Sequence, residues 1–207
     1  MAYDPNGSNY DADVQKLADK KPDATIVIGF NDDGAKVVNS MIGKSVGPKD
    51  VPLYTADGMQ SSKFATTLDP ADPSKADGIK GTAPAAAPAG ITSPFQTKFK
   101  ATGVDPIFSS YYYDCTNLTA LAAQKAKTDD PAKFKNSFTA NLKGKTKCND
   151  FASCKKALDA GKTIHYSGAS SEFKKFGKFE PLTGAYETWH YDAAGKVVTD
   201  PTQIKIG

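Results

Sequence analysis

Ala24-Thr-Ile-Val-Ile-Gly-Phe30, Asn31-Asp-Asp-Gly-Ala-Lys-Val-Val-Asn-Ser-Met-Ile-Gly43 and Val51-Pro-Leu-Tyr-Thr-Ala-Asp-Gly58 are the runs that decide the fold. The first is continuously apolar and β-branched, which predicts a parallel strand covered on both faces. In the second, Asn31, Asp32 and Asp33 are helix-capping types, and Val37, Val38, Met41 and Ile42 recur at helical spacing. The third predicts a short buried strand that Asp57-Gly58 stops. Working outward, Asp11 to Lys20 sets Val14, Leu17 and Ala18 on one helical face, and Lys21-Pro22-Asp23 breaks that helix. Downstream, Ser61 to Leu68 predicts a short helix and Ile79 to Thr82 another strand. This βαβαβ order is that of an α/β layer with a parallel sheet flanked by helices.

The second half is more helical. Ala83 to Pro94 is rich in Ala, Pro and Gly and reads as a loop or crossover. Phe95 to Ala101 predicts a helix. Tyr111 to Lys127 predicts the longest one, with Leu118, Leu121, Ala122 and Ala126 as its apolar stripe. Thr128-Asp-Asp-Pro131 ends it and starts another, where Phe134, Phe138 and Leu142 share a face. A further helix, Ala152 to Ala160, begins within a cysteine-bracketed stretch. Gly184 to Tyr191 alternates as a strand, Ala193-Ala-Gly195 turns it, and Lys196 to Thr199 returns as a hairpin arm. The chain opens on Tyr3-Asp4-Pro5, close to a helix and with no strand before it. For a doubly wound domain that start reads as a fragment lacking its signal peptide.

Composition narrows the function. The 207 residues are 39% hydrophobic with net charge +3, and all 26 basic residues are lysine. Mean hydropathy is −0.46. That charge is far from a nucleic-acid footprint, and without arginine there is no bidentate guanidinium fork for phosphate or guanine. Cys148 and Cys154 in C-x5-C spacing can close a small disulfide loop in an oxidising compartment; two free thiols are the alternative, and the disulfide is the expectation. No CxxC pair points to zinc, and no cofactor is implied.

Open α/β sheets bind ligands at the carboxyl ends of their strands. Two ends qualify, Gly29-Phe30-Asn31 and Ala56-Asp57-Gly58. If these strands are neighbours, an aromatic ring, an amide and a carboxylate converge. That set suits a small zwitterion, with Asp57 accepting from its ammonium and Phe30 covering apolar surface. The plain alternatives are an Asp-Gly turn and an Asn31 helix cap. Three consecutive rings at Tyr111-Tyr-Tyr113 point about 100° apart on a helix, so one faces solvent or a cleft. Tyr112 is therefore a candidate ligand cover. His165 and His190 read as structural, and Gly29-x4-Gly34 lacks the Lys-Ser/Thr pair of a phosphate loop. Nothing supports catalysis, so the chain does not read as an enzyme.

The segments VQKLADKKPDATIVIGFNDDGAKVVNSM (14–41), VPLYTADG (51–58), IKGTAP (79–84), SSYYYDCTNLTALAAQKA (109–126) and CNDFASCKKALDAGKTIHYSGASSEFKKFGKFEPLTGAYETWHYD (148–192) together resemble the branched-chain amino-acid type of periplasmic binding protein. The most specific parts are the Tyr113-Asp114 helix start and the cysteine-bracketed helix followed by HYSGASSEF (165–173). The resemblance implies a type I two-lobed fold that delivers an amino acid or related small solute to an ABC permease outside the cytoplasm. Contact with the membrane would come only through that permease or a lipid anchor. Residues 1–106 and 184–207 would form the second lobe. Residues 107–183 would cross the hinge and add helices to a first lobe whose amino-terminal half is absent. The resemblance places the ammonium-binding acid at Asp57, beside Gly58, and the neighbouring aromatic position at Phe30 or Asn31, neither of which supplies a phenol. Weak ligand binding by this chain alone is then expected, with an exposed apolar patch on the helices at 111–160. Two rival readings are a ligand-sensing domain of the same fold and an α/β enzyme or response-regulator-like domain using Asp57 with Asp32 and Asp33.

Overall fold

A computed structural model describes residues 1–104, 106–177 and 180–207. Lys178 and Phe179, within the last stretch quoted for the resemblance, lie outside it. In chain order the elements are α1 (Asp11–Ala18), β1 (Thr25–Val27), α2 (Asn31–Gly43), β2 (Leu53–Thr55), α3 (Phe64–Leu68), β3 (Ile79–Pro84), α4 (Pro94–Lys100), α5 (Ser109–Ala126), α6 (Pro131–Ala140), β4 (Thr146–Cys148), α7 (Phe151–Asp159), β5 (Ile164–Tyr166), β6 (Gly184–Tyr191) and β7 (Val197–Ile206). Two compact units result, 1–83 with 187–202 and 84–186 with 203–207. The chain passes between them within β3, β6 and β7.

The first unit is built on a sheet of strand order β1-β2-β3-β6-β7. β1, β2 and β3 are parallel, with Val27 opposite Thr55 and Thr55 opposite Gly81. β6 and β7 form a hairpin closed by hydrogen bonds between Asp192 and Lys196 and from Gly195 N–H to the Asp192 carbonyl, at 3.0 and 2.8 Å. One face of the sheet holds the core. Val27, Leu53, Ile79 and Trp189 pack there with Val38 and Met41 of α2, Phe64 of α3 and Val14 of α1. The other face is open. Ile26 and Ile28 are each 73% exposed and Tyr54 is 44% exposed. The parallel pairing of β1, β2 and β3 follows the sequence expectation, but cover on both faces does not. The helices α1, α2 and α3 all contribute to the same core, so among the described residues of the first unit no layer covers the β-branched residues of the opposite face.

In the second unit α5, α6 and α7 gather around Leu118, Leu121, Leu142, Ile164, Tyr166 and Phe173. Asp130 and Asp150 cap α6 and α7, accepting from Ala132 N–H at 3.0 Å and Ser153 N–H at 2.8 Å. β4 and β5, with α7 between them, pair in parallel, which periodicity did not indicate. This pair gives the helices a surface to cover. The apolar patch expected on the helices at 111–160 is therefore better matched by the open sheet face of the first unit. A Cys148–Cys154 disulfide ties β4 to α7, and Cys115 is a free, exposed thiol.

The polar centre of this unit is Asp114, 2% exposed on α5. Its carboxylate accepts from Tyr166 Oη at 2.7 Å, Ala169 N–H at 2.8 Å, Ser170 N–H at 2.7 Å and Ser170 Oγ at 2.6 Å. A Cβ on Gly168 would run into that carboxylate, which explains the Ser-Gly-Ala-Ser sequence facing it. Burial, and then the adjacent Asp114 charge, push the Tyr166 phenol far above its ordinary 10.0. The folded phenol thus keeps its proton where an unfolded one has lost it. Stability linked to Tyr166 is complete below about pH 10 and falls as pH rises beyond it. Alkaline titration followed by circular dichroism should show this fall, and Tyr166→Phe should flatten it; an unchanged slope would contradict the assignment.

Candidate functional site

Parallel register brings the carboxyl ends of β1 and β2 to one rim of the first unit. A pocket of about 390 Å³ opens there, lined by Tyr3, Ile28, Phe30, Asp33, Asp57 and Gly58 among others. Asp57 begins a single 3-10 turn, Asp57–Met59, whose closing bond runs from Gln60 N–H to the Asp57 carbonyl at 3.0 Å. Its partly buried carboxylate has no hydrogen bond or ion pair among the described residues. A Cβ on Gly58 would stand 2.5 Å from the Gly29 carbonyl oxygen and 3.2 Å from the Phe30 ring. Only glycine lets the two strand ends come this close.

The pocket's second carboxylate, Asp33, is engaged on both oxygens. Oδ1 accepts Phe30 N–H at 3.1 Å, and Oδ2 accepts the Tyr3 hydroxyl at 2.6 Å. Of the three capping types Asn31, Asp32 and Asp33, it is Asp33 that does the capping work at the start of α2. Tyr3 is also held edge-on to Tyr10, with ring centroids 5.4 Å apart. Burial, followed by the bond to Asp33, pushes the Tyr3 phenol well above its ordinary value.

Phe30, 73% exposed, stands at the pocket rim. Asn31 does not line the pocket; its amide donates to Asp32 at 2.9 Å and to Thr67 Oγ1 at 3.0 Å. Tyr112, 70% exposed, belongs to the second unit, on the face of α5 near Phe108. Of its neighbours, Tyr113 stacks on Phe95 at 4.2 Å and Tyr111 donates to the Ala85 carbonyl at 3.3 Å. His165 meets the Glu172 carbonyl at 2.9 Å, and His190 lies 3.6 Å from Asp200. Sequence reasoning named Asp33 as a capping type and as an acid for the rival enzyme reading, but missed Tyr3 and its bond to Asp33. The available signal was an acid at the third position of α2, where a side chain reaches back to the cap N–H; no pattern marked Tyr3, which lies well ahead of α1. Among the described residues no three His, Cys, Asp or Glu side chains converge to hold a metal ion.

No protein-family model matches the chain. No curated protein matches it significantly. Solved structures do match. A periplasmic binding protein type 1 from Bordetella pertussis Tohama I is 18% identical over 97% of this chain and 51% of its own, with a TM-score of 0.60. A substrate-binding protein described as a fatty acid ABC transporter component, from Thermomonospora curvata, is 15% identical over 98% and 48%, at 0.57. An ABC transporter solute-binding protein from Rhodopseudomonas palustris, solved with 4-hydroxybenzoate, is 13% identical over 100% and 51%, at 0.56. The fold is therefore the type I periplasmic-binding-protein fold, and this chain spans about half the length of the structures it matches.

Proposed function

We propose that this chain is part of an extracytoplasmic solute-binding protein that captures an amino acid, or a related small amine-bearing solute, for an ABC permease. The observation that carries the reading is Asp57, an unpartnered carboxylate in a strand-end pocket beside the Phe30 ring. A carboxylate in that position gains a charge-assisted bond from an ammonium group, while Phe30 and Ile28 cover the ligand's apolar part. Tyr3 offers a phenol on the same wall. The fold shared with solute-binding proteins and the Cys148–Cys154 disulfide, which fits an oxidising compartment, support the same reading. The proposed lobes remain 1–106 with 184–207, and 107–183, and Tyr112 remains a candidate cover contributed by the latter. The neighbours' printed ligands, a fatty acid and 4-hydroxybenzoate, carry a carboxylate and no ammonium. They define the competing arm of the test.

Affinity is expected to be low, with Kd no tighter than ~1 mM, because a binding protein that closes on its solute needs both walls. Amide chemical-shift titration with leucine, alanine and 4-hydroxybenzoate reads binding in that range. Saturable shifts at Phe30 and Gly58 are expected with the amino acids, weakened about tenfold by Asp57→Asn. Shifts caused only by 4-hydroxybenzoate, or amino-acid shifts indifferent to Asp57→Asn, would refute the ammonium role.

A further inference from the structure

A second pocket, of about 390 Å³, lies wholly within the second unit and shares no lining residue with the strand-end pocket. Its walls are the turn at 88–91, the loop at 170–175, the start of β6 and the end of β7. Both loops are held in place by the protein itself. In the turn, Ile91 N–H donates to the Pro88 carbonyl at 3.1 Å, and Gly90 takes φ +85°, a position that favours glycine. Gln203 of β7 clamps that turn, donating to the Ala87 carbonyl at 3.1 Å and accepting from Ala89 N–H at 2.7 Å. In the loop, Ser170 is tied to Asp114, and the Glu172 carbonyl meets His165 Nε2 at 2.9 Å. The pocket is thus preformed, and its volume suits a small molecule.

The lining divides by chemistry. Pro88, Ile91, Phe173 and Ile206 supply apolar surface, and Lys174, Lys175 and Lys205 supply amines. The acid on the wall, Glu172, is already matched, since its carboxylate meets Lys147 at 3.2 Å and Lys174 at 2.5 Å. Lys175 and Lys205 have no ion pair among the described residues, and the N–H groups of Glu172 and Lys174 have no acceptor among them. Unneutralised positive charge and free main-chain donors therefore adjoin an apolar wall. An ammonium group is repelled by such a set. A hydrocarbon carboxylate gains charge-assisted bonds to the lysines while its body covers the apolar side chains. Because every basic residue of the chain is lysine, no guanidinium fork grips a phosphate on two oxygens, and selectivity falls to the ligand's apolar part.

We propose that this pocket binds a small hydrocarbon carboxylate, an aromatic or branched aliphatic acid. Lys175 and Lys205 hold the carboxylate, and Ile91 and Phe173 lie against the apolar body. The site is separate from the strand-end pocket and does not depend on which solute that pocket takes.

Amide chemical-shift titration of the 207-residue chain with benzoate, benzyl alcohol and inorganic phosphate tests the proposal. Benzoate should give saturable shifts at Ile91, Phe173 and Lys174. Benzyl alcohol keeps the ring without the charge, and phosphate keeps the charge without the ring; each should bind at least about tenfold more weakly. Lys175→Gln combined with Lys205→Gln should weaken benzoate binding about tenfold and leave the response of Phe30 and Gly58 to leucine unchanged. Both lysines are exposed, so the double variant should fold as its parent does, which circular dichroism checks. Phosphate binding as tight as that of benzoate would reduce the pocket to a general cationic surface and overturn the proposal. So would benzoate shifts absent from Ile91 and Phe173, or a benzoate affinity indifferent to the double variant.

Discussion

Replacing Asp114 with alanine is expected to remove at least about 3 kcal/mol from the stability of the second unit while leaving the first folded. The carboxylate is buried and accepts from two side chains and two backbone amides supplied by the last residue of β5 and the segment that follows it. Hydrogen bonds to a charged group contribute about 1.5–3 kcal/mol each, and donors stranded in a dry site cost further desolvation energy. Those terms share one acceptor and do not add, so the lower bound is the safer figure. Alanine leaves Tyr166 Oη and the Ala169 and Ser170 amides facing a void, and Gly168, which lies against the carboxylate, loses its contact. The chain's one tryptophan, Trp189, lies in the first unit and separates the readouts. In urea, loss of helical circular dichroism should move to lower denaturant while the Trp189 fluorescence transition stays in place. Rapid hydrogen exchange at Ala169 and Ser170 should accompany it. A shift worth less than about 0.5 kcal/mol, typical of a surface change, would show that Asp114 does not hold this segment.

Asp114 also shows what the sequence did not reveal. The resemblance singled out Tyr113-Asp114 and HYSGASSEF (165–173) but not their contact, and by periodicity Asp114 is one more polar residue, because its partners lie 52 to 56 positions away. Periodicity reports neighbours along a helix or strand, not the distant donor that makes a buried carboxylate stable. The β4–β5 pair escaped for a related reason: strands of three residues are too short to show a period of two. The order from β1 to β3 was legible, since the runs at 24–30 and 51–56 are largely apolar and, like Ile79 to Thr82, are bounded by turn residues. Their cover was not. The isoleucines at 26 and 28 state that the strand is suited to burial on both faces, but it takes the fold to show that α1, α2 and α3 all pack on one face. At the candidate site the meeting of Phe30 with Asp57 and Gly58 followed from adjacent parallel strands. The roles of Tyr3 and Asp33 required the path of residues 1–5 across the strand ends.

The core of the first unit turns on a contact between Gly81 and Trp189, and its loss should be the largest effect there. The indole lies so close to Gly81 that an added Cβ would stand 2.5 Å from Cε2 and 2.9 Å from Nε1. Trp189 is fully buried, with Tyr191 edge-on at 5.4 Å, so the ring has little room to retreat. Gly81→Ala should therefore destabilise by about 1–3 kcal/mol through overpacking. Trp189→Ala should cost about 3–5 kcal/mol, the transfer energy of the ring plus the cavity it leaves. Nε1 has no acceptor among the described residues, so the ring contributes packing and no hydrogen bond. Trp189→Phe should accordingly cost less than Trp189→Ala. The decisive comparison is the double variant. If the contact with Gly81 limits packing, Gly81→Ala combined with Trp189→Phe should be more stable than the sum of the single losses requires, by more than the ~0.5 kcal/mol scatter of independent sites. Urea denaturation followed by circular dichroism measures all four proteins on one scale. Strict additivity would place the cost of Gly81→Ala in the backbone of β3 and not in the indole above it.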